Sequence, residues 1–153
     1  MKLLALDVGD RRVGVAVSDA MGLIATPLTV VQRSSKARDF GQIAQLVREQ
    51  DAGALVVGHP VNEDGSAGPQ AQRVERYATA LQEALEAEGL ALPLILWNER
   101  MSTQQAEQAM IASGRRARER RDRIDAVAAA VILQDYLDVQ RPPSAPPVEP
   151  SES

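Results

Sequence analysis

The chain has 153 residues, of which 44% are hydrophobic and 25% charged, with a formal net charge of −4. That length suits one domain with a proper core, and the absence of cysteine rules out disulfides and thiolate metal sites. The acidic balance excludes a uniformly basic nucleic-acid binder, so any polyanion contact must come from a local concentration of charge.

The first predicted element is a strand, "KLLALDV" (2–8), whose apolar run suggests burial on both faces. Asp7 is out of place there, because an ionised carboxylate in apolar surroundings is costly unless it is compensated. Either it lies at the strand's exposed end or it has a cationic partner. A short "GDRR" link leads to a second strand, "VGVAVSD" (13–19), which implies a hairpin. The link spans Gly9 to Gly14 like a phosphate loop but lacks the following Lys and Ser/Thr, so Gly9 reads as a tight turn. Arg11 and Arg12 are placed to meet phosphate.

A third strand covers "LIATPLTVV" (23–31), with Pro27 pointing to a sheet edge or a bulge. A helix follows over 36–51, with Phe40, Ile43, Leu46 and Val47 at helical spacing. "ALVVG" (54–58) is a short buried strand. The loop "NEDGSAG" (62–68) leads into a long helix over 68–89, with Pro69 in its first turn and Gly89 as its stop. That loop reads equally as an anion site and as a plain helix lead-in. "LPLILW" (92–97) is a fifth strand, and "STQQAEQAMIASG" (102–114) begins with a capping box of Ser102 and Gln105.

The segment "GRRARERRDR" (114–123) sets six arginines against two acids, a local net of +4, and reads as a mobile, substrate-contacting loop. A last helix is expected over 122–138, with an apolar stripe of Ile124, Val127, Ala128, Val131 and Ile132. The tail over 140–153, rich in proline and mildly acidic, is expected to be disordered. The order βββαβαβαα implies an α/β domain over 1–139, a mixed five-stranded sheet with an antiparallel half and parallel βα units, flanked by helices. No apolar run approaches a membrane span and the N-terminus does not read as a signal peptide, so the cytoplasm is the expected location.

Three acids concentrate the chemistry. Asp7 is in the first strand, Glu99 follows the fifth, and Asp125 is expected in the first turn of the last helix. Acids at strand ends and a helix start can converge on one sheet edge. Converging carboxylates repel without cations, and hard divalent ions with oxygen ligands, Mg²⁺ or Mn²⁺, are natural partners. Beside so many arginines, this is the layout of two-metal phosphodiester hydrolysis. Taken singly, Asp125 also reads as a favourable first-turn acid, and Glu99 as a surface residue paired with Arg100.

"LALDVGDRRVGVAVSD", "VVGHPVNEDGSAG", "WNERMST" and "RIDAVAAAVILQDYLD" together resemble the successive motifs of the YqgF (RuvX) family. These are bacterial Holliday-junction-resolvase-like nucleases, also described as pre-16S rRNA nucleases. The resemblance covers residues 2 to about 139 and implies an RNase H-like fold. It puts the family's acidic, metal-holding and catalytic triad on Asp7, Glu99 and Asp125. Asn98 departs from the family, which usually has Asp there, and any water-mediated help that Asp gives a metal is lost. His59 stands where the family often has an apolar residue and reads as a satisfied structural histidine.

The function implied is a Mg²⁺- or Mn²⁺-dependent nuclease on structured RNA or DNA, with Arg11, Arg12, Arg100, Arg115, Arg116 and Arg118 as substrate contacts. Symmetric junction resolution would require a homodimer, whereas trimming an RNA end would not. Two alternatives come from other classes. "DVGDRRVGVA" also resembles the first phosphate loop of actin-like and sugar-kinase phosphotransferases, but 153 residues leave no room for their second domain. The other is a nucleic-acid-binding module without catalysis.

Overall fold

The computed structural model describes residues 1–62, 64–98 and 117–140, with side chains described in the last stretch from residue 124 onward. Five strands, β1 (Lys2–Val8), β2 (Arg12–Ser18), β3 (Ala25–Gln32), β4 (Ala52–His59) and β5 (Leu94–Asn98), form one sheet in the order β3-β2-β1-β4-β5. β1 pairs antiparallel with β2, and β2 with β3, while β1, β4 and β5 run parallel. The mixed sheet expected from the order of elements is therefore present. Pro27 explains itself twice: β3 is an edge strand, and the β2–β3 register slips next to it, between Val15 and Ala16.

Helices α1 (Lys36–Gln50) and α2 (Pro69–Ala87) cover one face, and α3 (Ala117–Gln140) covers the other. Side chains alternate along each strand, so β1 divides itself between two cores. Leu4, Leu6 and Val8 join Phe40, Ile43 and Val47 of α1 and Val74, Tyr77, Leu81 and Leu85 of α2. Leu3 and Ala5 face the other way, onto Ala129, Ile132, Leu133 and Leu137 of α3. The α1 N-terminus is capped by Ser35, whose side chain accepts from the Arg38 N–H. The α2 C-terminus ends on Gly89 at φ +84°, with the Gly89 N–H donating to the Glu86 carbonyl. The Gly89 stop agrees with the sequence pattern.

The α3 layer packs on the sheet through small side chains. Ala5, Ala16 and Ala54 line the sheet beneath it, and the helix answers with Ala129 and Ala130. The limiting case is Gly14. A Cβ there would overlap the Asp125 carbonyl, so the helix backbone rests directly on β2. Farther along, Gln134 fixes the helix to β3, its Oε1 accepting from the Ala25 N–H and its Nε2 donating to the Leu23 carbonyl. The Trp97 indole of β5 donates to Asp135 Oδ2 at 2.8 Å and meets the Tyr136 ring edge-on.

Three expectations change. Of the apolar stripe expected on the last helix, Ala128 and Ile132 are buried but Ile124, Val127 and Val131 are only half-buried, and Leu133 and Leu137 reach the core instead. The helix bearing Asp125 starts at Ala117 rather than near residue 122, so the arginine segment is helical from that point and not a loop. Asp125 accordingly lies more than two turns inside α3, away from the unpaired N–H groups of its first turn. The expected helix over 102–114 and the tail over 141–153 lie outside the described residues.

Candidate active site

The parallel registers bring the C-terminal ends of β1, β4 and β5 to one sheet edge, where the antiparallel β2 begins. Asp7 is the penultimate residue of β1. It belongs to the same alternation as Leu3 and Ala5, so it faces the α3 layer and is half-buried beyond the end of that core. The acid stands where its strand runs out of apolar cover, which is how an apolar run tolerates it.

Opposite Asp7 in the β1–β2 register is Gly14. Directly paired positions share a face with Cβ positions about 5 Å apart. Gly14 presents no side chain, and the Asp125 backbone occupies that space. A missing Cβ thus brings two acids from opposite ends of the chain to adjacent positions on one face. Arg12, two residues before Gly14, shares that face, and its Nε donates to Asp125 Oδ2 at 2.5 Å. The charge of Asp125 is met by a guanidinium and not by a helix N-terminus, which corrects the sequence-based account of what stabilises it.

The hairpin that carries these residues is tight. The Gly9 N–H donates to the Arg12 carbonyl at 2.9 Å, and a Cβ on Gly9 would stand 2.9 Å from that same oxygen. Arg33, just past β3, holds the turn from outside: its guanidinium donates to the Gly9 carbonyl at 2.7 Å, and its N–H to the Arg11 carbonyl. Arg11 itself points to solvent.

His59 is on the other face. Its Nε2 lies 2.7 Å from Glu75 Oε2 of α2, the satisfied structural pairing expected of it. Asn98 pairs with His59 in the β4–β5 register and ends β5 at the same edge. Glu99 follows it in the chain. Glu99, Arg100, Arg115 and Arg116 lie outside the described residues; Arg118 lies in the first turns of α3, its side chain outside them. Among the described residues no group of three or more metal-ligating side chains is assembled. The loop before α2 closes on itself, with Asp64 Oδ1 accepting from the Ser66 N–H and hydroxyl, bonds that hold the Asp64 carboxyl below its usual range. Gly68 caps α2 without a side-chain bond.

Sequence reasoning missed Gly14 and Arg33. A glycine inside a strand signals close backbone approach, so Gly14 could have been found. Nothing local marks Arg33, whose role exists only once β3 returns to the hairpin.

The chain matches the family model described as RuvX, Holliday junction resolvase, over residues 1–139. A relative from Thermoanaerobacter pseudethanolicus is 43% identical over 92% of this chain and 99% of its own length. Another, from Synechococcus sp., is 45% identical over 92% of this chain and 80% of its own. Both carry the provisional description pre-16S rRNA nuclease. Among solved structures, Thermus thermophilus RuvC in complex with a Holliday junction substrate aligns with a TM-score of 0.53 at 17% identity, over 92% of this chain and 96% of that one. The fowlpox virus resolvase in complex with Holliday junction DNA aligns at 0.56 and 10%, over 91% and 98%. At those identities the likeness is one of fold, the RNase H-like arrangement of a mixed sheet between helices. The family match spans both halves of the carboxylate pair, and the chain belongs to the RuvX family.

Proposed function

We propose that this protein is a divalent-metal-dependent nuclease that hydrolyses phosphodiester bonds in structured nucleic acid, acting on the 5′ end of pre-16S rRNA, on branched DNA, or on both. The observation that carries the reading is the close approach at Gly14, which brings Asp125 beside Asp7 at the sheet edge with Arg12 bonded to it. Two hard oxygen donors on one face suit Mg²⁺ or Mn²⁺, and Glu99, one residue beyond β5, is the third ligand in this reading. Such ions, when bound, supply the positive charge that offsets the growing negative charge on the phosphoryl oxygens.

The protein's own contribution is placement. β1 and the α3 backbone fix the two acids relative to each other, so little reorganisation is needed when substrate arrives. Arg12 neutralises Asp125 before substrate binds, and Arg11, exposed beside it, is positioned to reach a phosphate. The names of the relatives favour rRNA processing, and those of the structural neighbours favour branched DNA.

The test is cleavage of a 5′-extended 16S rRNA precursor and of a four-way DNA junction, each with Mg²⁺, with Mn²⁺ and with EDTA, beside an ATP hydrolysis control. Metal-dependent cleavage of either substrate is expected. Binding without cleavage under every condition would leave a binding module, and ATP turnover alone would point to a phosphotransferase.

A further inference from the structure

On the face opposite the carboxylates, a cavity of about 220 Å³ opens at the same sheet edge, between the hairpin turn and the first turns of α1 and α2. Arg33, Lys36, Arg73 and Arg76 line it against a single acid, Asp10. Among the described residues, Lys36, Arg73 and Arg76 form no ion pair, so their charge is not spent on the protein itself. Tyr77 forms the floor. The residue is only 3% exposed, and its hydroxyl is buried beneath the cavity with no hydrogen-bond partner among the described residues.

A buried hydroxyl without a partner is costly, and proteins rarely leave one so. The ring is fixed by the edge-on contact with Phe40 and by the Arg33 guanidinium 4.8 Å from its centroid, so the hydroxyl is held in place. Burial first, then the Asp39 charge, push its pKa up to about 12, which keeps it a donor at neutral pH. The cavity above it, ringed by four cations, calls for an anion with several acceptor oxygens.

We propose that this cavity is a phosphate subsite that grips the backbone of the nucleic-acid strand a few nucleotides from the bond cleaved at Asp7. The placement follows from the chain itself: Gly9 lines the cavity and is two residues from Asp7, a Cα separation of roughly 7 Å at most. A strand crossing the turn therefore reaches both faces of the sheet edge. The subsite rests on the nuclease reading, and a free phosphate or mononucleotide would satisfy the same donors, so the experiment separates these cases.

Binding of a labelled oligonucleotide in EDTA is measured against salt for the wild-type protein and for the double variant R73A/R76A, with inorganic phosphate as a separate probe. The double variant should bind about tenfold more weakly, its log–log salt slope reduced by about 0.7–0.9 for each phosphate it no longer neutralises. KM should rise more than kcat falls. A single neutral methylphosphonate, stepped along the substrate, should weaken wild-type binding at one position where the double variant is indifferent. Unchanged affinity and slope in a protein that still cleaves would overturn the subsite and leave the nuclease reading standing. Phosphate binding abolished in the variant with oligonucleotide binding intact would overturn it in favour of a small-anion site. If neither protein binds nucleic acid, the nuclease reading falls first and the subsite with it.

Discussion

Asp7 and Gly14 show how single residues set the site. Asp7→Asn keeps the size and an acceptor oxygen but removes the charge, so the fold should persist. Loss of a ligand should cost at least what loss of its outer partners costs, roughly 100-fold or more in cleavage. Near-normal cleavage by this variant with Mn²⁺ would remove Asp7 from the metal site. Gly14→Ala is a different experiment on the same spot. Its methyl would overlap the Asp125 carbonyl, and backbone cannot step aside as a flexible side chain can. We expect about 1–3 kcal/mol of destabilisation from overpacking, with cleavage falling further than stability because the two acids are forced apart. Urea unfolding beside single-turnover cleavage separates the two effects; an unchanged Cm would mean that α3 tolerates the shift. Asp7 is legible in the sequence because strands disfavour Asp. The Arg12–Asp125 bond is not, since 113 residues separate the partners.

At the scale of elements, the sequence pattern is readable wherever periodicity changes and fails where it does not. β1 begins and ends where its apolar run does, and Pro69 and Gly89 mark helix ends that the structure shares. The start of α3 escapes such reading because an arginine run looks like a loop by charge, although arginine is a good helix former and no Gly or Pro interrupts 115–123. The extra turns move Asp125 from a helix end to its interior and change what stabilises it. α3 is held to the sheet mainly by Ala129, Ile132, Leu133 and Leu137, of which Leu133 and Ile132 are almost fully buried. Leu133→Ala should therefore cost about 2–5 kcal/mol. Measured by urea unfolding, a loss below about 1 kcal/mol would show that this packing relaxes to fill the gap, and that Gln134 and Trp97 do more of the anchoring.

For the whole molecule, the difficulty is that an acidic protein is asked to hold a polyanion. A net charge of −4 gives no general attraction, so binding depends on where the cations stand. The 114–123 segment concentrates six arginines ahead of Asp125 in the chain, and from Ala117 onward they ride on the helix that carries this acid. A helical segment presents its charges in a fixed order, whereas a loop would have to be ordered on binding. Arginines used in this way meet phosphate, which positions a strand but carries no sequence information. Replacing Arg115, Arg116 and Arg118 with alanine should thus weaken binding about equally across sequences. The salt slope should fall by about 0.7–0.9 for each phosphate left without its arginine. The acids are held by β1 and by the middle of α3, so turnover at saturating substrate should change less than affinity. Binding against salt concentration for the wild-type and triple-variant proteins, with both rRNA precursor and junction, checks this directly. Identical affinities and slopes would make the arginines a solvated surface, while a collapse of turnover with unchanged binding would place one of them among the reacting groups.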